Sequence, residues 1–478
     1  MRSTKRAILD LKRSVALWPR KKHRDYVALL VAFFICCHNV TSGQNAASRT
    51  LTPAVISLAD SLIRLGNVQP RIFYVHGIGA NGPNDHDSKL LRTSICRFLK
   101  DCTTKEGVLE GSDYADRHSF SLNAPPPNLK YLGEPVWRNT YPGGPSEQFN
   151  ASAPYVDHWK LERKNGTVIH VDEINWWPLV FALKCREIVA KDATLLGPNA
   201  AYIDLCSQSI PDRNQPGRFR LYPWISADEA KRLKALPPKG ASLNRGLKNN
   251  LLDWRFSDAL LAVGEMQSLM LEGVRQLVLK SVSAADNNRQ SRSGGASDQE
   301  FVFVTHSLGS YLIFSALDLK SGESDTSEMK EWRVQFRNIL SHTPLVYFFA
   351  NQLRLLELAN LDASGTGKPS GNMIDHLQTW SKLRMDYLAG QALSNRTELV
   401  PPSLVSWNDP SDLLTWNVPE VESASGQRIL VVENHSVRNA IDWFGLLEGP
   451  TGAHDNYASN KRIIRSMLKP TQQNLPRN

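Results

Sequence analysis

Ser307, a pair of aspartates at 409 and 412, and His454 follow one another in this chain. These are the residue types that together turn a hydroxyl into a nucleophile. A serine hydroxyl is weak until a base removes its proton, and an imidazole base needs an acid to fix its orientation. Such a set attacks carbonyl carbon. Ser307 stands in Thr305-His306-Ser307-Leu308-Gly309, after the apolar run Phe301-Val302-Phe303-Val304 and before Tyr311-Leu312-Ile313-Phe314. The aspartates follow Ser403-Leu404-Val405-Ser406-Trp407, in Asn408-Asp409-Pro410-Ser411-Asp412-Leu413-Leu414. His454 closes the small-residue run Gly449-Pro450-Thr451-Gly452-Ala453.

Four apolar, β-favouring residues before Ser307 read as a strand buried on both faces, as in a parallel sheet. Strand, sharp turn and helix then follow in order, with Ser307 at the apex. Its hydroxyl points into the cleft above the strand ends, and the first helical amides face the same cleft as donors for a developing negative charge. The plain alternative is a serine that only caps a helix. A second buried strand, Arg71-Ile72-Phe73-Tyr74-Val75, runs into His76-Gly77-Ile78-Gly79-Ala80-Asn81-Gly82. This is not a phosphate loop: the spacing G-x-x-x-x-G-K-[ST] is absent, and Gly77-Ile78-Gly79 lacks the third glycine of the dinucleotide pattern. Asp85, His86 and Asp87 form a polar loop of the kind that is solvated or caps the next helix, not a metal site.

The turn at Ser307 resembles the G-x-S-x-G nucleophile elbow of the α/β-hydrolases, with Thr305 in place of the first glycine. The His76-Gly77 strand end resembles the same family's second structural requirement. The resemblance spans roughly residues 68–470, through four short segments. It implies that Ser307 attacks, His454 carries the proton, and the amides of Ile78 and Leu308 bind the oxyanion. Asp412, with two leucines re-entering the fold behind it, resembles the family's acid loop. Asp409 precedes a proline and is the competing choice, since it could simply open the turn. The implied fold is a mostly parallel central sheet with helices on both faces. The implied activity is cleavage of a carboxylic ester or thioester, of a small molecule or lipid, without metal or organic cofactor. Amide cleavage, acyl transfer on the same triad, and a binding member without catalysis are the alternatives.

Composition sets bounds on this reading. A chain of 478 residues with 41% hydrophobic and 22% charged residues is that of a globular protein. Its net charge of +9 is concentrated at the N-terminus, where residues 1–25 carry nine Lys/Arg against Asp10 and Asp25. From Gln44 onward basic and acidic residues nearly balance, so a nucleic-acid partner is not indicated. Tyr26 to Cys37 is apolar, short of the ~20 residues a membrane span takes. With the basic residues before it and small residues after it, 1–43 reads as an export signal, for a secreted or periplasmic protein. An uncleaved membrane anchor or an organelle-targeting segment is the alternative. Beyond it, Cys96, Cys102, Cys185 and Cys206 permit two disulfides, 96–102 and 185–206, or are four buried thiols.

The remainder, 44–478, reads as a single α/β domain with insertions near 113–165, 192–250 and 351–398. Helices are expected at Thr52 to Leu65, Ser88 to Leu99, Leu179 to Lys191, Leu251 to Ser281 and Met373 to Ala389. Further strands are expected at Thr167 to Val171, Ser403 to Trp407 and Arg428 to Glu433, with mixed signals at Thr343 to Ala350. A last helix is expected to start with Asp455 as N-cap and to carry Tyr457, Ile463, Ile464, Met467 and Leu468 on one face.

Overall fold

The computed structural model divides the chain into Met1–Thr52 and Pro53–Asn478. The described residues, all in the second unit, are 56–64, 70–78, 88–100, 102–106, 155–177, most of 180–208, 210–211, 219–221, 223–239, 248, most of 255–282, 299–317, 327–357, 373–395, 400–422, 429–439, 442–443, 447–448 and 450–470. The expected leader at 1–43, the loop at Asp85 to Asp87 and the part of the insertion near 113–165 that precedes residue 155 lie outside them.

The architecture is α/β. Eight strands make one sheet: β1 (Arg71–Val75), β2 (Cys102–Glu106), β3 (Tyr155–Arg163), β4 (Val168–Asn175), β5 (Phe301–His306), β6 (Leu345–Phe349), β7 (Ser403–Asn408) and β8 (Val431–Ser436). Their order is β8-β7-β6-β5-β1-β4-β3-β2. The pairings from β8 across to β4 are parallel, and β4-β3 and β3-β2 are antiparallel. The helices, in chain order, are α1 (Leu58–Arg64), α2 (Lys89–Leu99), α3 (Ala190–Leu196), α4 (Ala200–Ser207), α5 (Ala227–Lys234), α6 (Ser257–Val263), α7 (Leu308–Ala316), α8 (Ser327–Ser341), α9 (Leu353–Glu357), α10 (Met373–Asn395), α11 (Pro450–Asp455) and α12 (Lys461–Met467).

The apolar runs make these strands because both faces of the sheet are covered. Alternate residues of each strand enter opposite cores. Phe73, Val75, Phe301, Phe303, Val346, Phe348 and Leu404 pack on one side with side chains of α7, α8 and α10. Ile72, Tyr74, Val302, Val304, Leu345, Tyr347, Phe349, Val405 and Trp407 pack on the other with α1, α2 and α12. Helix α7 is buried on nearly its whole circumference, as its apolar sequence requires.

Strand order turns back at β1. The chain leaves β1 for β2 at the far edge and works inward through β3 to β4, then passes to the other side of β1 as β5 and continues outward to β8. The crevice beyond the carboxyl ends of β1 and β5 is thus a topological switch point, where α/β sheets hold their ligands.

Several expectations change. The stretch expected as an insertion at 113–165 contains β3, a strand of the main sheet, whose buried Asp157 and His158 interrupt the apolar signal. The 192–250 stretch carries α4, α5, part of α3 and a short hairpin of Ile210–Pro211 with Phe219–Leu221. The 351–398 stretch carries α9 besides α10, which occupies the helix expected at Met373 to Ala389 and runs on to Asn395. Asp455 does not cap the last helix. It ends the short helix α11, and Asn460 caps α12 by accepting from the Arg462 amide at 2.9 Å. The Asp455 carboxylate is instead taken by the guanidinium of Arg255. Both candidate cysteine pairs are disulfides, Cys96–Cys102 and Cys185–Cys206, with Cα separations of 4.9 and 5.6 Å.

Candidate active site

The site is assembled by three strand ends and by α11. β5 delivers Ser307 into a backbone conformation that an L-residue rarely adopts, φ 53° and ψ −122°. Such a residue costs about 1–3 kcal/mol and persists only where its surroundings over-determine it. They do so here. The Ser307 N–H donates to the Phe349 carbonyl of β6 at 2.7 Å, and its own carbonyl accepts from the Ser310 amide at 3.1 Å.

Two glycines permit the close approaches this turn demands. A Cβ on Gly309 would lie 2.5 Å from the Val75 carbonyl oxygen and 2.7 Å from that of His76. The end of β1 therefore presses directly on the first turn of α7. A Cβ on Gly77 would lie 2.7 Å from the Cβ of Ser307 and 3.3 Å from its Oγ. Thr305, by contrast, fits where a glycine was expected. It is fully buried on β5, its hydroxyl donates to the Tyr347 carbonyl at 3.2 Å, and its Oγ1 lies 2.7 Å from Ser310 Oγ. The one hydroxyl proton of Thr305 is used on the carbonyl, so Ser310 donates to Thr305. The polar bulk is absorbed between sheet and helix.

The structure joins Ser307, His454 and Asp412 into one chain of hydrogen bonds. His454 Nε2 lies 3.0 Å from Ser307 Oγ, and His454 Nδ1 lies 3.0 and 2.9 Å from the two carboxylate oxygens of Asp412. A carboxylate only accepts, so Nδ1 carries the proton and Nε2 presents its lone pair to the serine hydroxyl. All three residues are buried. Asp412 also accepts from the Leu414 amide at 2.9 Å and from the Tyr457 hydroxyl at 3.3 Å. Burial, reinforced by the Asp412 charge, pushes the Tyr457 phenol far up, so it remains a donor.

The competing aspartate has a different task. Asp409 is fully buried, and its carboxylate accepts from the Ser411 amide at 2.9 Å and the Asn439 amide at 2.5 Å. Its own amide donates to Tyr457 at 2.6 Å. It braces the loop that carries Asp412, while the hydrogen bonds to His454 belong to Asp412. Ile78 directly follows Gly77, which packs on Ser307, and Leu308 opens α7 beside it.

Two further side chains belong to the site. His306, the neighbour of the serine, places Nε2 2.8 Å from the His454 carbonyl oxygen. Tyr457 links the Asp409 loop to Asp412. Tyr457 was legible only as an apolar-face helix residue and His306 only as a letter inside the elbow. Neither residue type announces a backbone or loop partner. Serine, histidine and aspartate joined at the carboxyl edge of an α/β sheet form an arrangement that can deprotonate a hydroxyl beside backbone donors. Comparison of the chain with protein-family models, curated proteins and solved structures finds no match.

Proposed function

We propose that this chain is a serine hydrolase of the α/β-hydrolase type, cleaving a carboxylic ester or thioester through an acyl-enzyme. The observation that carries the reading is the continuous Ser307–His454–Asp412 hydrogen-bond chain at a strained strand-to-helix turn. His454 Nε2 takes the Ser307 proton as Oγ bonds to the carbonyl carbon. The negative charge moves to the carbonyl oxygen, which the amides of Ile78 and Leu308 receive. The carbon–oxygen or carbon–sulfur bond then breaks, and His454 gives its proton to the departing alcohol or thiol. Water, deprotonated by His454, attacks the acyl-serine and releases the acid, returning serine and neutral imidazole. Asp412 stabilises the imidazolium at both stages without taking the proton.

Two disulfides and the basic, apolar N-terminal sequence support export, or anchorage by an uncleaved segment, as the setting. No helix among the described residues is long and apolar enough to cross a membrane. The reading is tested with a fluorophosphonate probe, which should label the wild-type chain and not Ser307→Ala. Equal labelling of the two would exclude Ser307 as the nucleophile.

A further inference from the structure

We propose that His306 is a positioning residue that holds the general base, His454, by its main chain. The inference rests on the serine-hydrolase reading and concerns the same site. A carbonyl oxygen only accepts, so the 2.8 Å contact fixes the proton on His306 Nε2, which donates to the His454 carbonyl. His306 is covalently next to Ser307 and ends β5, whose residues are all buried. One rigid element therefore carries both the nucleophile and the donor that fixes the base. The Oγ to Nε2 distance of 3.0 Å is then set from the sheet rather than left to the short helix α11 that carries His454.

The neighbours of His454 are secured as well. The Ala453 carbonyl accepts from Asn439 Nδ2 at 3.1 Å, and the Asp455 carboxylate forms a two-pronged ion pair with Arg255. Three successive residues are thus tied to three separate parts of the fold, and His306 holds the middle one. The groups facing His306 are the rings of His454 and Tyr457, at 5.3 and 5.9 Å between centroids, and the Asp455 and Asp412 carboxylates. Burial, with the neighbouring His454 adding to it, lowers the His306 pKa to about 4. It stays neutral when His454 becomes an imidazolium and adds no opposing charge.

The test compares full-length variants that differ in reach. Glutamine places an amide donor near the position of Nε2, and asparagine carries the same amide one methylene short. His306→Asn and His306→Phe should lower kcat by on the order of 10²-fold with KM nearly unmoved, the cost of displacing a reacting group by about 1 Å. His306→Gln should recover most of kcat. If His306→Phe does not fold, the glutamine and asparagine pair decides alone. Near-wild-type kcat in His306→Asn, or glutamine as poor as asparagine with equal Tm, would overturn the proposal. Proton NMR of the low-field His454 Nδ1–H gives a readout that needs no turnover. That resonance should move or vanish in His306→Asn and persist in His306→Gln. A wild-type chain that neither labels with the fluorophosphonate nor turns over an ester defeats the hydrolase reading. The resonance then decides the positioning role, and an unmoved signal in His306→Asn overturns it.

Discussion

Among the described residues two buried aspartate–histidine pairs stand in the sheet or at its edge, and they differ in what surrounds the carboxylate. At the carboxyl edge, Asp412 accepts from His454. Deeper in the sheet, Asp172 of β4 accepts from His158 Nδ1 on the paired strand β3 and from Arg71 Nε on β1. Asp172 lies three residues back from the end of β4, about 10 Å along the strand. Burial alone would raise the Asp172 carboxyl. Arg71 and His158 overcome that and hold it well below the usual carboxylate range. Its charge is already answered by a permanent cation. Among the described residues Asp412 has neutral partners besides His454, so in the proposed reaction its charge is available to an imidazolium. The far nitrogens differ too. His454 Nε2 faces a serine hydroxyl, whereas His158 Nε2 accepts from the ring of His170 at 3.2 Å. In the proposed reaction Asp412 and His454 act as a relay, whereas Asp172 and His158, with a guanidinium beside the carboxylate, act as a rivet.

The largest effect separating the regions should come from Ser307→Ala. Loss of the nucleophile should cost on the order of 10⁶ in kcat and leave cooperative unfolding intact. The strained backbone at 307 is held by main-chain bonds, so folding should not suffer. Ester turnover at the wild-type rate would end the comparison, because neither pair would then be catalytic.

Next in size is Asp412→Asn, expected to lower kcat by a factor on the order of 10³–10⁴ as the imidazole loses its tautomer. Asp409→Asn should lose far less activity and show its effect in stability, since Asp409 receives main-chain amides rather than the imidazole. Steady-state kinetics on both variants would reveal the opposite ranking if the acid were misassigned.

Asp172→Asn should behave in the reverse sense. It leaves the Arg71 guanidinium buried without its countercharge, a change that costs about 3–5 kcal/mol of stability. The folded fraction should keep its wild-type kcat. Urea unfolding alongside kinetics checks both halves, and a kcat loss comparable to that of Asp412→Asn would erase the distinction between relay and rivet.

The relay was largely legible in the sequence and the rivet was not, for a physical reason. Ser307, Asp412 and His454 each follow a strand or occupy a small-residue loop, and chain order alone puts them at one edge of a parallel sheet. The choice between Asp412 and Asp409 turned on what each carboxylate faces across space, and only coordinates supply that. Arg71, His158 and Asp172 are single polar letters inside strands, and Arg71 and Asp172 stand 101 residues apart in sequence. No periodicity marks them, and β3 was read as part of an insertion because Asp157 and His158 broke its apolar pattern. His306 escaped for a related reason: its partner is a backbone carbonyl, and every residue has one. The misplaced helix start at Asp455 shows a capping rule losing to a tertiary ion pair with Arg255.

The smallest expected effect lies in the pH dependence of stability, where the histidines of both regions act in one window and Asp172 in a lower one. Burial lowers the pKa of His306 to about 4 and is also the leading cause of the lowered values of His158 and His170. In the unfolded chain each histidine takes up its proton near ~6.5. Below that pH the unfolded state binds more protons than the folded one, so stability falls as the solution is acidified. Each such group adds a slope approaching ~1.4 kcal/mol per pH unit. For His306 the window runs from the unfolded value down to about 4. Asp172 is depressed, so its contribution is present above the ordinary aspartate value of ~3.9 and is lost only below it. His306→Gln keeps a donor but cannot titrate, and it should lessen the slope of the stability profile between roughly pH 6.5 and 4, where His158 and His170 still contribute. Urea unfolding at a series of pH values, on wild type and His306→Gln, measures the difference. An unchanged slope in the variant would mean that His306 gains its proton in the folded state as readily as in the unfolded one. The neutral donor on the His454 carbonyl would then be charged whenever the base is.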